Sequence, residues 1–322
     1  MIYLDEKNIA QIGTDWEKLI DIIEGAVKCL DAGDFAQPVK PYLRYRDLKN
    51  RIIAMPAFIG GAFNMAGIKW IASFPDNIKN GIPRAHSVVI LNKAETGEPV
   101  GIINTALLSI LRTASVTGLV IRYFDKVRPL KNIRLGITGW GPIGQHHFKM
   151  CTTLFGDRLE KVFLYDLRKI DKSAIDFAGK DKIVVTDSWE EAYSDADVFI
   201  TCTVSNAPYI DIPPKKGSLQ LNVSLRDYKT DIFEYVKNSI IVDNWEEVCR
   251  EKTDIEMLHI EKGLRAEDTK SIIDVVMNHC MNDYAEDNPI MFNPMGMAVF
   301  DMAVGAYYLG EAKTKNIGHQ LE

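Results

Sequence analysis

Two cations stand alone in apolar stretches of this sequence. Lys69 lies in "MAGIKWIASFPDN" with no other charge from residue 52 to 75, and Arg112 is the only charge from residue 99 to 121. An ammonium removed from water must be paired or give up its proton, and the planar guanidinium fork suits a carboxylate. We expect both to bind a small anionic substrate. The alternatives are that Lys69 extends to the surface and that Arg112 pairs internally with an acid or the cofactor.

Three further basic residues flank the first predicted strands. Arg44 lies in "KPYLRYRD", Arg51 begins "RIIAMP", and His86 precedes the strand "SVVILN". Because the chain carries a net charge of -6, basic side chains collected in its apolar segments suggest a pocket for a small polyanionic substrate. The alternative for each of the three is an ordinary surface position.

A glycine loop, "LGITGWGPIGQHHF", follows an apolar strand and opens a helix. Gly139 allows the tight turn, Gly141 lets a pyrophosphate approach the backbone, and Gly144 lets helix pack on strand. The helix N-terminus, at Pro142 and Ile143, adds partial positive charge. The pattern predicts dinucleotide binding; the alternative is a plain turn whose glycines serve packing. The two histidines of the motif are expected on the helix surface.

An acid ends the next predicted strand, "KVFLYD". This residue, Asp166, lies 22 residues after Gly144, where a carboxylate binds the adenine ribose hydroxyls of NAD. A carboxylate there repels the 2′-phosphate of NADP, so NAD is the expected cofactor. Arg168 lies close by, weakens that preference, and is itself a candidate cofactor contact.

Polar residues follow two later strands, which should end at the same edge of the sheet. Thr203, Val204 and Ser205 end "ITCTVSN" and are expected near the nicotinamide half of the cofactor. Asp227, in "LQLNVSLRD", comes to the same crevice and is a candidate base for water or a substrate amine. The alternatives are an ordinary strand end and a carboxylate that caps a helix.

These residues need two kinds of framework. An amphipathic helix at 15–32, a series of strands and a buried helix at 105–124 precede residue 133. After it, strands alternate with helices, which predicts a parallel sheet that closes with "SIIVDN". A final apolar helix follows "NPMG". In "GIKWIASF" the face of Ile68 and Trp70 is expected to pack the core, and small neighbours are expected to leave room beside Lys69.

Bulk properties exclude several classes of protein. The 322 residues are 47% hydrophobic and 25% charged, as in globular domains, and the acidic balance disfavours nucleic acid and anionic membranes. The five cysteines are scattered without a CxxC pair, so we expect reduced thiols in a cytoplasmic protein, with no metal site. Neither a signal peptide nor a membrane-spanning run is expected.

Six segments match one protein family. They are "RIIAMP", "GIKWIASFPDN", "ILRTASVTGLV", "GITGWGPIGQ", "ADVFITCT" and "NPMGMAVFDMAVGAYY". In this order they resemble the ornithine cyclodeaminase/mu-crystallin family over nearly the whole chain. Within it, "FAQPVKPYLR", "RIIAMPAFIGG", "GIKWI", "ITCTVSNAPYI" and "NPMGMA" resemble the N-(2-amino-2-carboxyethyl)-L-glutamate dehydrogenases of siderophore biosynthesis of the staphyloferrin B type.

The resemblance implies an α/β chain in two parts. Residues 123–291 would form a Rossmann domain, a doubly wound parallel sheet that binds NAD. Residues 1–122 and 292–322 would form an α+β substrate-binding and dimerisation domain built from both termini. The expected assembly is a homodimer.

The resemblance also implies roles for particular residues. Lys69 and Arg112 would bind or act on the substrate, Arg112 and Thr113 would contact the cofactor, and Asp227 would be the acid/base. One departure concerns the loop around Asp227, which is glycine-rich in the cyclodeaminases. Here it reads "SLRDYKTD", with Leu225 and Arg226 in place of small residues. This makes ornithine cyclisation less favoured, and Arg226 adds a cation that suits a substrate rich in carboxylates.

The expected reaction is NAD-dependent oxidative cleavage of N-(2-amino-2-carboxyethyl)-L-glutamate to L-2,3-diaminopropionate and 2-oxoglutarate. Two alternatives from the same family are ornithine cyclodeamination and reduction of a cyclic ketimine. A third, from a different class, is a nucleotide-binding protein without turnover, and the joint presence of Lys69, Arg112 and Asp227 argues against it.

Overall fold

A computed structural model describes all residues, 1–322. Its α-helices, in chain order, are α1 (Glu6–Ile12), α2 (Trp16–Asp31), α3 (Leu107–Val127), α4 (Pro142–Phe155), α5 (Trp189–Tyr193), α6 (Phe233–Val236), α7 (Trp245–Val248), α8 (Asp254–Lys262), α9 (Ile272–Val276) and α10 (Ala298–Lys315). Its strands are β1 (Ile2–Asp5), β2 (Phe35–Ala36), β3 (Tyr42–Leu43), β4 (Arg51–Ile59), β5 (Met65–Ser73), β6 (Ala85–Lys93), β7 (Pro99–Asn104), β8 (Ile133–Thr138), β9 (Leu159–Tyr165), β10 (Ile183–Val185), β11 (Val198–Thr201), β12 (Leu219–Asn222), β13 (Ile240–Val242), β14 (Lys270–Ser271), β15 (Ile290–Asn293) and β16 (His319–Gln320).

The chain divides into two compact units. Unit 1 comprises residues 1–115 and 296–322, and unit 2 comprises residues 116–295. The sequence places the boundaries at 122/123 and 291/292, within α3 and β15 respectively, so unit 1 ends earlier in α3 and resumes later, after β15. Both termini contribute to unit 1.

Unit 1 is built on a mixed sheet. Its strand order is β16-β1-β7-β6-β5-β4-β2, with β3 also paired to β4. The β1–β7 pair is parallel and the other neighbours are antiparallel. Helix α10 packs against β4, β5 and β6, and α2 packs against α10. The amphipathic stripe predicted for 15–32 is confirmed as α2, whose apolar residues are buried.

The covered face of β5 is the one that carries Lys69. This side chain is 1% exposed and lies between buried Met55 and Val89 on the neighbouring strands, whereas Trp70 is 43% exposed. The prediction that the Trp70 face packs the core is therefore wrong. Alternation along a strand separates two faces but does not say which one a distant helix will cover, and here α10 covers the face with the smaller residues.

Close packing of α10 explains a glycine on that face. A Cβ on Gly67 would lie 2.8 Å from the sulfur of Met302 and 2.1 Å from the carbonyl oxygen of Ile90. Any larger residue would push strand and helix apart. The small residues beside Lys69 thus admit a helix and its side chains, and they do not leave an open pocket wall.

Unit 2 is an α/β unit with an all-parallel sheet, as predicted. The strand order is β10-β9-β8-β11-β12-β15-β13-β14. The expectation that β13 closes the series is wrong, because β15 inserts between β12 and β13 and β14 forms the edge. The sequence from β8 to β12 reads as buried apolar runs because helices cover both faces of such a sheet.

Helix α3 was expected to be buried because it is apolar nearly all round. It is long and apolar enough to span a membrane by length and composition, but 72% of its most apolar window is buried inside the protein. The core helix of a globular protein passes the same test. The five cysteines are free thiols, and three of them are buried.

Candidate active site

One buried carboxylate holds the two isolated cations of unit 1. The Asp301 side chain, on the first turn of α10, places Oδ2 2.7 Å from Lys69 Nζ and Oδ1 2.9 Å from Arg112 Nε. Lys69 comes from β5 and Arg112 from α3. The Asp301 side chain is fully buried, and those of Lys69 and Arg112 are 1% and 7% exposed. The prediction that Lys69 and Arg112 belong together agrees with this arrangement.

This geometry decides between the alternatives for both cations. Lys69 does not extend to the surface, and its ammonium also donates to the Ser109 hydroxyl at 3.3 Å. Arg112 does pair with an internal acid, but only its Nε is used by Asp301. The terminal Nη1 and Nη2 groups, which form the edge suited to a bidentate carboxylate, have no protein acceptor among the contacts of Arg112.

A third basic residue, Lys40, belongs to the same cluster. It is 3% exposed and its ammonium donates to the carbonyl oxygen of Gly296 at 2.6 Å. Gly296 has φ +87°, and a Cβ there would lie 2.6 Å from Arg112 Nη1. Glycine is therefore required for two reasons at this position, the left-handed backbone and the close approach of the guanidinium.

The cluster sets unusual acidities. Burial and the neighbouring Arg112 charge lower the pKa of Lys69 to about 7, against the opposing pull of Asp301, and Lys40 lowers it further. Burial favours the neutral form of Asp301, but Arg112 and Lys69 outweigh it and hold its pKa below the usual range. Lys69 therefore changes its charge near neutral pH while Asp301 stays ionised.

Two other predicted substrate ligands gather around one ring. The guanidinium carbons of Arg44 and Arg51 lie 5.2 Å and 5.6 Å from the centre of the Tyr42 ring, in cation–π contact. Both arginines are half-buried. The register of β4 on β5 pairs Arg51 with Ser73 and thus places it on the Lys69 face of the sheet.

His86 is separated from this cluster. It is exposed, and it pairs with Ala72 on β5, which places it on the Trp70 face of the sheet. The prediction that it joins Lys69 in one substrate site is wrong for a single chain. The sequence predicted a strand next to His86 but not the face of the sheet on which its side chain lies. Neighbouring residues of a strand point to opposite faces, so a shift of one residue changes the face.

The glycine loop of unit 2 has the geometry needed for a pyrophosphate. Gly139 has φ +90°, and a Cβ there would lie 2.4 Å from the Cys202 carbonyl oxygen; a Cβ on Gly144 would lie 2.0 Å from the Gly139 carbonyl oxygen. Gly141, which caps α4 without a side-chain hydrogen bond, faces open space within 4 Å. The orphan donors at the start of α4 are therefore accessible to an anion, and the loop fits a dinucleotide.

Asp166 follows β9 and braces the glycine loop. Its carboxylate accepts from the backbone N–H of Trp140 at 2.7 Å and from that of Arg168 at 2.8 Å, and Arg168 Nε lies 3.2 Å away. Burial opposes ionisation, but the hydrogen bonds from Arg168 and Trp140 outweigh it and lower the Asp166 pKa. Arg168 is thus paired with the acid whose preference for NAD it was expected to weaken.

Asp227 is fully buried beside the end of β11. Its carboxylate accepts from the Thr203 hydroxyl at 2.5 Å and from the Ser224 hydroxyl, and burial still raises its pKa. The structure therefore joins Thr203 and Asp227, as their strand ends predict. Val204 is 56% exposed on the following loop, where the Ser205 hydroxyl donates to the Ala207 carbonyl.

The loop before Asp227 contains a left-handed residue that is not glycine. Leu225 has φ +64°, a left-handed conformation that costs roughly 1 kcal/mol for such a residue, and its side chain is 4% exposed in the core. Arg226 donates through Nε and Nη2 to the Glu251 carbonyl oxygen, at 3.2 Å and 2.8 Å. Its guanidinium braces the loop, so the expectation that it serves the substrate is not supported.

A second buried acid, Asp254, lies beneath this loop, and no sequence pattern indicates it. Asp254 Oδ2 accepts from the backbone N–H groups of Asp227 and Tyr228, each at 3.2 Å, and from the Asn222 amide at 2.9 Å. Burial raises the pKa of Asp254 to about 7, although these hydrogen bonds oppose the shift. The group fixes the backbone that carries Asp227.

Asp301, His147 and Asp254 are buried residues that the sequence either did not indicate or placed wrongly. Asp301 is the only charge between Asp287 and Glu311. An isolated acid in an apolar run is the same kind of signal as the isolated base Lys69. His147 was expected on the surface of α4 but is fully buried; its Nδ1 lies 2.8 Å from the Ile143 carbonyl oxygen, and burial lowers its pKa to about 4. Asp254 carries no such sequence signal, because acidic residues surround it.

The titration of Asp254 predicts a pH dependence of stability. Its folded pKa of about 7 lies above the ordinary value of 3.8, so between these values the folded state binds a proton that the unfolded state does not. The free energy of unfolding contributed by this group therefore falls as pH rises from 4 to 7. The Tm of Asp254→Asn relative to that of the original chain should therefore rise as pH increases from 4 to 7, because the variant lacks this loss of stability. Asp231→Asn, at a residue 72% exposed, serves as control and should follow the original slope; an unchanged slope in Asp254→Asn would contradict the assignment.

Comparison with known proteins finds two relatives that are named as dehydrogenases. The chain is 33% identical to N-((2S)-2-amino-2-carboxyethyl)-L-glutamate dehydrogenase of Staphylococcus aureus, over 100% of this chain and 98% of that protein. It is 26% identical to alanine dehydrogenase of Archaeoglobus fulgidus, over 95% and 94% of the two chains.

Solved structures share the fold over the full length. Δ1-pyrroline-2-carboxylate reductase of Thermococcus litoralis, in complex with NADH and L-proline, has a TM-score of 0.85 at 19% identity, covering 100% of both chains. An archaeal alanine dehydrogenase dimer with bound NAD has a TM-score of 0.82 at 23% identity, covering 100% of this chain and 99% of that one. The family model of the ornithine cyclodeaminase/mu-crystallin family matches residues 6–316. The chain therefore belongs to the ornithine cyclodeaminase/mu-crystallin family.

Proposed function

We propose that this protein is an NAD-dependent dehydrogenase that cleaves N-(2-amino-2-carboxyethyl)-L-glutamate oxidatively to L-2,3-diaminopropionate and 2-oxoglutarate. It would act in the cytoplasm and supply a siderophore or a related secondary metabolite. The observation that carries the proposal is the buried pair of Lys69 and Arg112 on Asp301, in a chain that matches a dehydrogenase of this substrate along its whole length.

The cationic residues of unit 1 suit a substrate with three carboxylates. Arg112 offers its Nη1/Nη2 edge to one of them, with Lys69 beside it. Arg44 and Arg51, gathered around Tyr42, are the proposed ligands of the others. A cyclodeaminase acting on ornithine has one carboxylate to bind, so the number of guanidinium groups favours the tricarboxylate.

The proposed cofactor is NAD, which accepts a hydride when bound. The loop from Gly139 to Gly144 would hold the pyrophosphate, and Asp166 would bind the adenine ribose. Thr203, Val204 and Ser205, with Asp227, remain candidates for the nicotinamide half, and Arg112 and Thr113 for further contacts. Thr113 donates its hydroxyl to the Ser109 carbonyl at 2.8 Å.

The reaction begins with loss of a hydride, with its electron pair, from the glutamyl Cα and of a proton from the secondary amine, which leaves a carbon–nitrogen double bond. Water then adds to that carbon, and the carbon–nitrogen bond breaks to release the keto acid and the amine. Asp227 is the proposed proton carrier. Burial raises its pKa although the two hydroxyl donors favour the charged form, and a raised pKa suits a group that must take up and release a proton.

Turnover of the purified protein tests this function. With NAD and N-(2-amino-2-carboxyethyl)-L-glutamate, NADH, diaminopropionate and 2-oxoglutarate should form in equal amounts. Asp227→Asn should lower kcat by about 10²-fold or more, since general acid–base catalysis typically contributes 10²–10⁴-fold, whereas Asp231→Asn, an exposed acid of the same unit, should not.

Each alternative predicts a different product. Proline from ornithine would indicate a cyclodeaminase, and oxidation of NADPH by a cyclic imine would indicate a ketimine reductase. NADH binding without turnover of any of these compounds would indicate a nucleotide-binding protein and would overturn the proposal.

A second proposal concerns assembly as a homodimer. The Trp70 face of the unit 1 sheet is not covered by α10, and it presents half-exposed apolar residues on three neighbouring strands. These residues are Ile52, Ala54, Phe58, Ile68, Val88 and Ile90, beside Trp70 at 43% exposure. A contiguous apolar face of this kind marks an interaction site, and a second copy of this chain is the proposed occupant.

Light scattering of purified protein tests the dimer. The original chain should have twice the mass of its 36.3 kDa polypeptide, and Trp70→Glu should shift the population towards the monomer because a carboxylate in an apolar interface is costly. Ile260→Glu, at a residue 65% exposed in unit 2, is the matched control and should leave the mass unchanged. A monomeric original chain, or a Trp70→Glu variant with full dimer mass, would contradict this interface.

A further inference from the structure

We infer that Asp301 is a positioning residue that fixes the Lys69 ammonium and the Arg112 guanidinium in the arrangement that binds a substrate carboxylate. Its negative charge also favours the ammonium form of Lys69. This inference rests on the proposed function, in which Lys69 and Arg112 are the carboxylate ligands. Asp301 itself need not touch the substrate.

The two carboxylate oxygens of Asp301 are divided between the two cations. Oδ1 takes the Nε–H of Arg112 at 2.9 Å and Oδ2 takes the Lys69 ammonium at 2.7 Å. A guanidinium held at Nε can no longer rotate freely, so its Nη1/Nη2 edge points in one direction. Gly296 lies against Nη1 and Nη2 of Arg112 and restricts movement of the guanidinium. The donors are thus oriented before a ligand arrives, which lowers the entropic cost of binding.

Asp301 is also held rigidly. It lies on the first turn of α10, where the helix dipole favours a carboxylate, and its neighbours Phe300 and Met302 are fully buried. A fully buried carboxylate that meets two cations contributes little net stability, since desolvation offsets the attraction. Its value then lies in fixing the arrangement of the two cations.

The charges around Lys69 show why its protonation depends on Asp301. Arg112 from α3 and Lys40 from the segment before β3 both disfavour the ammonium, while Asp301 from α10 favours it. The cross-strand neighbours, Met55 on β4 and Val89 on β6, carry no charge. Ser109, also on α3, contributes a neutral hydroxyl. With Asp301 neutralised, burial and the two like charges would act on Lys69 without opposition.

The Asp301→Asn variant tests the inference, with Glu311→Gln as the control. Glu311 lies on the same helix and pairs with Lys315 at the surface. We expect the KM of Asp301→Asn to rise and its kcat/KM at pH 7 to fall by about ten-fold or more, as one unit of pKa change in Lys69 corresponds to a ten-fold change in its protonation equilibrium. The fall of kcat/KM with rising pH should occur at lower pH than in the original chain, whereas Glu311→Gln should keep the original profile. A profile in Asp301→Asn that coincides with the original one would overturn the inference.

Thermal unfolding supplies a readout that needs no substrate. The pKa of Lys69 is about 7 in the folded chain, below its ordinary value of 10.5, and it should fall further in Asp301→Asn. Between those two folded values the original chain binds a proton that the variant does not, so lowering the pH through 7 stabilises the original relative to the variant. The deficit in Tm of Asp301→Asn should therefore be larger at pH 6 than at pH 9.

A double variant keeps the test decisive. In a Lys69→Met background, Asp301→Asn should cost a Tm deficit that no longer grows as the pH falls, because the titrating amine is gone. A deficit that is equally pH-dependent with and without Lys69 would overturn it. If the original chain does not turn over the proposed substrate while the unfolding pattern holds, the proposed function fails and the coupling stands.

Discussion

The arrangement of unit 1 depends on one buried carboxylate between two buried cations. Lys69 on β5 and Arg112 on α3 would each be prohibitively costly to bury alone, and Asp301 on α10 is the group that makes their burial possible. The same contact explains the packing around it. Strand β5 has a glycine where α10 approaches, and the chain has a left-handed glycine where its backbone lies against the guanidinium. Sheet and helices are thus arranged around a polar cluster, with the apolar core on either side of it.

Unit 2 combines a glycine loop with carboxylates that are held by hydrogen bonds. Its glycine loop places backbone donors at the end of a parallel sheet. Asp166 is held by backbone N–H groups and by Arg168, and Asp227 is held by hydroxyl groups. Asp166 is kept ionised, whereas burial favours the protonated forms of Asp227 and Asp254. Asp166 is thereby suited to accept hydrogen bonds permanently, and Asp227 is suited to exchange a proton. A chain that pairs such a unit with a cationic cluster is equipped for redox chemistry on an amino acid.

Local signals in the sequence were enough for the elements and for the residues that follow them. The strand–glycine–helix order located the loop at Gly139, and a cation without neighbours identified Lys69 and Arg112. The sequence did not predict features that depend on contacts between residues far apart in the chain. The parity of β5 did not reveal that α10 covers its Lys69 face, and the strand before His86 did not reveal the face on which that residue lies. Asp301 had a readable signal, an isolated acid in an apolar helix, whereas Asp254 had none, since only the fold brings its carboxylate under the Asp227 loop. The covered face of β5, the face of His86 and the position of Asp254 all depend on long-range packing, which local composition does not reveal.

The proposed function makes a definite claim about one bond, the C–H bond at the glutamyl Cα of the substrate. The most direct measurement uses N-(2-amino-2-carboxyethyl)-L-glutamate with deuterium at that carbon, and follows the label by mass spectrometry of the reduced cofactor and of both products. One deuterium should appear in the reduced nicotinamide for each diaminopropionate released, with none left in 2-oxoglutarate at the keto carbon. Cleavage in which the deuterium is lost to water, with no label in the nicotinamide, would contradict hydride transfer from this carbon and with it the proposed reaction.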